Sequence, residues 1–282
     1  MCITEDLYGM QKRFLFAKTL LEVKRPKRVL DVGCGTGQNL TVPLAECFPE
    51  TQFLGVDIDK KSIQYAQEQF KISNIRFASL QELPSEALFD FLIASEVIEH
   101  TEQPSEFLRF LSSHVNPSGT VLLTCPNGYG PFEFMALVEA LLNVSGIQGV
   151  LRKVKHAILG KPQNTEDITG TLAVSPHTNF FTHREIRKLF AANGFTLEQY
   201  KARTFLCGYL IDSLLKASSV IQWNAQIANR LPAFMNSGWM FVLNKIGEVP
   251  NPYTYQRGYY ARFRKTLNAK RWKIPLDIHH HT

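Results

Sequence analysis

Residues 28–40, RVLDVGCGTGQNL, run from an apolar strand-like segment straight into three glycines within five positions, and few folds accommodate that. Val29, Leu30 and Val32 read as a buried strand. Gly33, Gly35 and Gly37 remove every Cβ where the chain turns toward the following helix, so backbone there can approach a ligand closely. A dinucleotide fingerprint requires the spacing G-x-G-x-x-G. Here the glycines fall on every second residue and Gln38 holds the last place, which makes NAD the poorer fit without removing it.

The flanking pattern sets the fold class. Strand-like runs near residues 28–32, 52–57, 75–78, 89–94 and 119–125 alternate with TVPLAECF, KKSIQYAQEQF and PSEFLRFLSSHV, whose apolar residues recur at helical spacing. Strands joined by helical crossovers form a mostly parallel sheet covered on both faces, a doubly wound α/β layout. A later helix, THREIRKLFAANGF, starts at a Thr182 cap with Glu185 three residues on and stops at Gly194. Strands at 196–203 and 239–245 follow it and bring the expected sheet to seven.

Residues 1–249 are expected to form one domain with helical insertions at about 128–176 and 205–238, followed by a tail at 250–282. The first insertion holds the basic stretch GVLRKVKHAIL and the second FLCGYLIDSLLKASSVIQW, where Asp212 and Lys216 spoil a membrane span. Both insertions suit helical cover over the strand ends, where ligands bind in such sheets, and both equally suit extra core packing.

At 282 residues and 45% hydrophobic content the chain can bury a sizeable core. Its five cysteines, Cys2, Cys34, Cys47, Cys125 and Cys207, form no C-x-x-C pair. An odd count without a secretory signal predicts reduced thiols and a cytoplasmic location, and excludes a disulfide scaffold or zinc finger. No uncharged run reaches the roughly 18 residues of a membrane span, so a soluble or membrane-peripheral protein is expected.

The ligand comes into view in QFLGVDID, where Asp57 stands 20 residues after Gly37. An acidic side chain there can accept both hydroxyl hydrogens of a ribose while the glycine turn meets the rest of the nucleoside. With VLDVGCGTG and GVDID in this order, the chain resembles the class I S-adenosylmethionine-dependent methyltransferases over roughly residues 28–203. The resemblance implies a Rossmann-like methyltransferase fold with S-adenosylmethionine as cofactor. It places Asp31, Gly33 and Gly35 along the methionine side and Asp57 on the ribose, with Gly37 also among the cofactor-binding residues. In IRFASLQELP the family often has Asp where Ser79 stands, so adenine contacts pass to Ser79 and the backbone around Leu80.

The fourth strand, in FDFLIASEVIEH, ends in Glu96, Glu99 and His100. A helix starting near Ser95 would put all three on one face. Glu96 and His100 are the catalytic candidates, with His100 as general base for a hydroxyl acceptor. The wording E-x-x-E-H resembles two branches, the ubiquinone-biosynthesis O-methyltransferases and the small-RNA 3′-end 2′-O-methyltransferases. The resemblance to the RNA branch, where a distant histidine completes a magnesium site, implies such a role for His177, which stands in SPHTNFFTHREI five residues before Thr182. Glu96, Glu99, His100 and His177 thus form a candidate set for one divalent ion such as Mg2+. Carboxylates suit Mg2+, whereas imidazoles tolerate Mn2+ or Zn2+ better. Relatives without metal carry a similar histidine that only shapes the pocket.

The tail at 250–282 carries seven Lys or Arg against one Asp, equal to the formal +6 of the whole chain. Tyr253, Tyr255, Tyr259, Tyr260, Phe263 and Trp272 interleave with those charges. Such a segment can stack on RNA bases, lie on an anionic membrane, or fold back on its own domain. The leading expectation is O-methylation of a small-molecule or lipid- or glycan-linked acceptor. RNA 2′-O-methylation and cofactor binding without catalysis are the alternatives, and no motif of a known RNA-binding module appears.

Overall fold

The structure is a computed structural model and describes residues 9–145, 177–207, 217–246, 253 and 255–272. Seven strands form one sheet: β1 (Arg28–Val32), β2 (Gln52–Asp57), β3 (Ile75–Ser79), β4 (Phe89–Ser95), β5 (Val115–Pro126), β6 (Phe195–Ala202) and β7 (Gly238–Lys245). Their order is β3-β2-β1-β4-β5-β7-β6, with β1 to β5 parallel and β7 antiparallel to both neighbours. The doubly wound, mostly parallel expectation holds. Strand β5 begins at Val115, earlier than the sequence suggests, because Phe89 pairs with Val115 before a register shift.

Among the described residues eight helices accompany the sheet: α1 (Met10–Lys24), α2 (Thr41–Cys47), α3 (Lys60–Gln69), α4 (Pro104–His114), α5 (Pro131–Val144), α6 (His183–Ala192), α7 (Ser218–Ile227) and α8 (Tyr259–Trp272). Local chemistry starts several of them. Asp59 accepts from the Lys61 and Ser62 backbone at the head of α3, Pro104 opens α4, and Thr182 and Glu185 close a reciprocal capping box on α6.

Alternation along each strand divides the core into two layers. Val29, Phe53, Phe91, Ile93, Leu122 and Met240 meet α1, α2 and α3 on one face. Leu30, Val56, Leu92, Val121, Leu123 and Phe241 meet α4 and α6 on the other. Strands β1 and β4 and most of β5 and β7 are therefore dry on both sides, while the edge strand β6 is largely exposed, and the strand ends are left to bind ligands.

Of the first insertion the structure describes α5, while GVLRKVKHAIL lies outside the described residues. Of the second it describes α7 and two short 3-10 turns. The described part of the tail folds against the domain. The Tyr255 hydroxyl donates to the Phe180 carbonyl at 3.2 Å, Arg257 reaches the Glu102 carbonyl at 2.7 Å and Asn179 Oδ1 at 3.0 Å, and α8 packs on α5. Among the described residues no helix is long and apolar enough to cross a membrane.

Candidate functional site

The glycine turn leaves β1 and is tied to the next strand, with the Gly33 and Cys34 amides donating to the Val56 carbonyl at 2.8 and 3.1 Å. Gly33 and Gly37 both sit at φ 73, where any side chain is strained. A Cβ on Gly33 would lie 2.4 Å from Val97, and one on Gly37 2.6 Å from the Phe77 ring. Gly35 differs: nothing lies within 4 Å of where its Cβ would be, so the turn is open there. Its amide donates to Asp57 Oδ2 at 2.8 Å, and Asp57 Oδ1 accepts from the Asp59 amide at 2.8 Å.

The other cofactor candidates gather at the same edge. Ser79 stands opposite Asp57 in register, its amide donating to Glu82 Oε2 at 3.2 Å, and Leu80 opens the short turn that follows. Asp31 is buried and accepts the Thr41 hydroxyl at 2.6 Å. Burial pushes its carboxyl up to about 7, against the Thr41 hydrogen bond and the charge of Arg13, with Asp57 adding to the rise.

At the end of β4 the structure corrects the sequence reading. No helix starts near Ser95. Residues 98–100 form a turn, closed by the His100 amide on the Val97 carbonyl at 2.9 Å, and helix resumes only at Pro104. Glu96 keeps its amide on the Thr124 carbonyl at 3.0 Å and takes φ 60, which a side chain rarely adopts. Partners hold it there: the Thr124 hydroxyl donates to Oε1 at 2.6 Å, and the Arg203 guanidinium pairs with Oε2. Burial works against the Glu96 charge, but Arg203, then Arg13, Thr124 and His177, hold its carboxyl below the ordinary value.

The turn is laced to the segment carrying His177. The Thr178 and Asn179 amides both donate to the Glu99 carbonyl at 2.9 Å, and Asn179 Nδ2 reaches the Thr101 carbonyl at 2.6 Å. His177 consequently lies beside His100, with ring centroids 4.9 Å apart. Donor atoms of Glu99, His100 and His177 all fall within 4.8 Å of one another. Glu96 is not in that group. The four-residue set expected from sequence is therefore three residues plus a carboxylate engaged by Arg203.

Glu99 is fully buried, and neither of its carboxylate oxygens has a hydrogen-bond partner among the described residues. Burial and the neighbouring Glu96 push it up to about 8. His177 has the opposite balance. Burial disfavours its charge, yet Glu133, paired with Nδ1, and then Glu99 and Glu96 lift it to about 9.

Sequence reasoning missed five contributors: Arg13, Thr124, Glu133, Arg203 and Arg264. Arg13 on α1 bears electrostatically on both Asp31 and Glu96, so α1 serves the site as well as the core. The fully buried Glu133 joins His177 to Arg264, which is itself 1% exposed on α8. The clustering of Lys and Arg after Tyr255 was visible, but nothing local marked which one turns inward.

A family model described as a methyltransferase domain matches residues 8–200. The chain is similar to a ubiquinone biosynthesis O-methyltransferase of Rickettsia felis, 34% identical over 162 residues, or 56% of this chain and 59% of that protein. It is also similar to a malonyl-[acyl-carrier protein] O-methyltransferase of Halalkalibacterium halodurans, 30% identical over 134 residues, 43% of this chain and 48% of that one. The chain thus spans about half the length of the curated relatives it matches. Among solved structures, PKMT2 of Rickettsia typhi shares the fold at TM-score 0.53 and 17% identity, covering 91% of this chain and 56% of that one. With motif order, sheet topology and family model in agreement, the chain belongs to the methyltransferase-domain family, in its S-adenosylmethionine-dependent class I.

Proposed function

We propose that this chain is an S-adenosylmethionine-dependent O-methyltransferase acting on a hydroxyl of a small-molecule or lipid- or glycan-linked acceptor. One observation carries the reading: the open backbone at Gly35, backed by Asp57, and the cluster of Glu99, His100 and His177 lie at the same end of the sheet, after its adjacent strands β1 and β4. Donor and acceptor must meet side by side, and this is where the chain could hold both.

S-adenosylmethionine supplies a methyl group on a positively charged sulfur. The residues fit it. Gly35 leaves room for a close approach, and each Asp57 oxygen, holding one backbone amide, keeps a lone pair for a ribose hydroxyl. Asp31 would face the methionine ammonium and Arg13 its carboxylate, while Ser79 and Leu80 border the adenine. Acceptor oxygen and methyl carbon need in-line placement, and much of the rate comes from that positioning.

The acceptor hydroxyl must also lose a proton. With no cation bound, His100 is the proton acceptor. Glu96 has another task, because its charge is spent on Arg203 and Thr124, and with them it fixes the turn that presents His100. A buried carboxylate without hydrogen bonds beside two imidazoles also fits a divalent cation. Glu99, His100 and His177 would hold it, a donor set better suited to Mn2+ or Zn2+ than to Mg2+. A bound cation would lower the pKa of the acceptor hydroxyl.

A second reading, 2′-O-methylation of RNA, draws on the same His177 and on the tail. Arg257, Arg264 and Lys265 of that tail are paired with Glu102 or Glu133, which leaves fewer cations for phosphates or for an anionic membrane. Incubation with methyl-labelled cofactor and a fractionated cell extract tests the proposal. Label is expected in the small-molecule or lipid fraction, and chelation or His177→Ala should lower turnover far more than cofactor affinity. Label in RNA would replace the reading. Cofactor binding without label in any fraction would reduce the chain to a binding protein.

A further inference from the structure

The family match ends at residue 200, yet a side chain far beyond it reaches beneath the candidate cation site. Arg264 projects from α8 into the interior, where its Nη2 donates to Glu133 Oε2 at 2.9 Å. Its Nη1 donates to the Glu133 carbonyl at 2.7 Å and to the Tyr260 hydroxyl at 3.0 Å. The guanidinium carbon lies 5.0 Å from the Phe180 ring centroid. Glu133 is held at its backbone and at one carboxylate oxygen. The other oxygen, Oε1, is left for His177 Nδ1. Helix α8 touches the same residue a second time, through Asn268 Nδ2 on the His177 carbonyl at 3.4 Å.

We propose that Arg264 and Glu133 are positioning residues that set the ring of His177, so that helix α8 completes the centre formed with Glu99 and His100. The argument is one of ring geometry. An imidazole has two nitrogens, and in the neutral ring that a cation requires, a carboxylate on Nδ1 keeps the remaining proton there and leaves Nε2 to serve as the ligand atom. Without Glu133 the ring could turn about its side-chain bonds. Without Arg264 the Glu133 carboxylate would lose the fork that fixes its plane. Burying Arg264 and Glu133 against a half-buried His177 is a costly way to pack a helix, since apolar residues of similar volume would serve as well. The arrangement makes sense where one ring must keep one orientation.

The inference rests on reading Glu99, His100 and His177 as a divalent-cation site, and the experiment separates the two. Full-length Glu133→Gln, Arg264→Met and Arg264→Lys are compared with wild type, with Lys265→Met as a control on the same helix. Calorimetric S-adenosylmethionine binding certifies that the sheet and glycine turn are intact. Mn2+ affinity is read from the free-ion signal in electron paramagnetic resonance, and the His177 Nδ1 proton from histidine proton–nitrogen correlation spectra, assigned with His177→Gln. Wild type should show a slowly exchanging Nδ1 proton. Glu133→Gln and Arg264→Met should lose it and bind Mn2+ about ten- to a hundredfold more weakly, the usual cost of removing a partner that orients a ligand. Arg264→Lys should recover part of both. If wild type binds no Mn2+, the cation reading fails, and the Nδ1 proton alone decides the positioning role. An Nδ1 proton unchanged in both Glu133→Gln and Arg264→Met overturns the proposal, and so does Mn2+ affinity unchanged in both. If Arg264→Met does not fold, Glu133→Gln and Arg264→Lys carry the same test.

Discussion

The two halves of the candidate site are built on different length scales. The cofactor half is local. Gly33 to Gly37, Asp57 and Ser79 are the ends of three neighbouring strands, each reached within a few residues of its own β-strand. The acceptor half is assembled from afar: His100 meets His177, Glu96 meets Arg203, and Glu133 meets Arg264, pairings that span 77, 107 and 131 residues. A turn with hydrogen bonds to its own strand ends tolerates change elsewhere. A centre hung on distant partners depends on every one of them.

That contrast predicts where the molecule breaks most easily. Arg203→Met should have the largest effect, because it leaves Glu96 charged in a position φ 60 and the surrounding packing do not let it escape. Removing one partner of a buried ion pair costs about 3–5 kcal/mol, and with the Glu96 side chain 26% exposed the loss should fall toward the low end of that range. Denaturant unfolding measures it, and adding Glu96→Gln should recover most of the loss. A loss under about 1 kcal/mol would mean that water already shares the pair, and the acceptor half would then depend little on that distant partner.

Gly37→Val tests the local half at its tightest point. The positive φ alone costs about 1–2 kcal/mol, and contact with the Phe77 ring adds about 1–3 kcal/mol of overpacking. Cofactor binding should disappear with it, since Phe77 can yield only by shifting β3. Asp57→Ala is the milder probe. It should weaken S-adenosylmethionine by about 1–3 kcal/mol in calorimetry. Unchanged affinity would remove Asp57 from the nucleoside.

The same contrast explains what could be read in the sequence. The glycine turn and the capping box of Thr182 and Glu185 are encoded within a few residues and both form as expected, with Asp57 standing beside that turn. Glu99, His100 and His177 could be nominated because E-x-x-E-H is contiguous and its resemblance pointed to a later histidine. The helix expected at Ser95 failed because helical spacing describes only one way for neighbouring side chains to converge. Here the Thr124 carbonyl takes the Glu96 amide and the 178–179 segment takes the Glu99 carbonyl, so tertiary hydrogen bonds win over the local pattern. Arg203 and Arg264 left no local trace, since an inward arginine and a solvated one look alike until the chain is folded.

The smallest expected effect is also the one that separates the halves most cleanly. Asp31, ordinarily near 3.8, is pushed up to about 7 in the folded chain without cofactor. If the ionised form faces the methionine ammonium, S-adenosylmethionine binding releases that proton. Affinity should then rise about tenfold between pH 6 and 8 and level off above, because one unit below its pKa a group is about nine-tenths protonated. Stability runs the other way. A carboxyl whose folded pKa is raised stabilises the fold below its unfolded value and loses that contribution as pH climbs through the folded one, from about 4 to about 7 for Asp31. Glu99, raised to about 8, and His177, raised to about 9, extend the decline upward. Asp31→Asn should flatten the affinity profile and the stability decline between about 4 and about 7, whereas Glu99→Gln should leave the affinity profile alone and flatten the stability decline up to about 8. An affinity profile that responds to Glu99→Gln as strongly as to Asp31→Asn would show that the two halves titrate as one, and the division between a local and an assembled half would have to be given up.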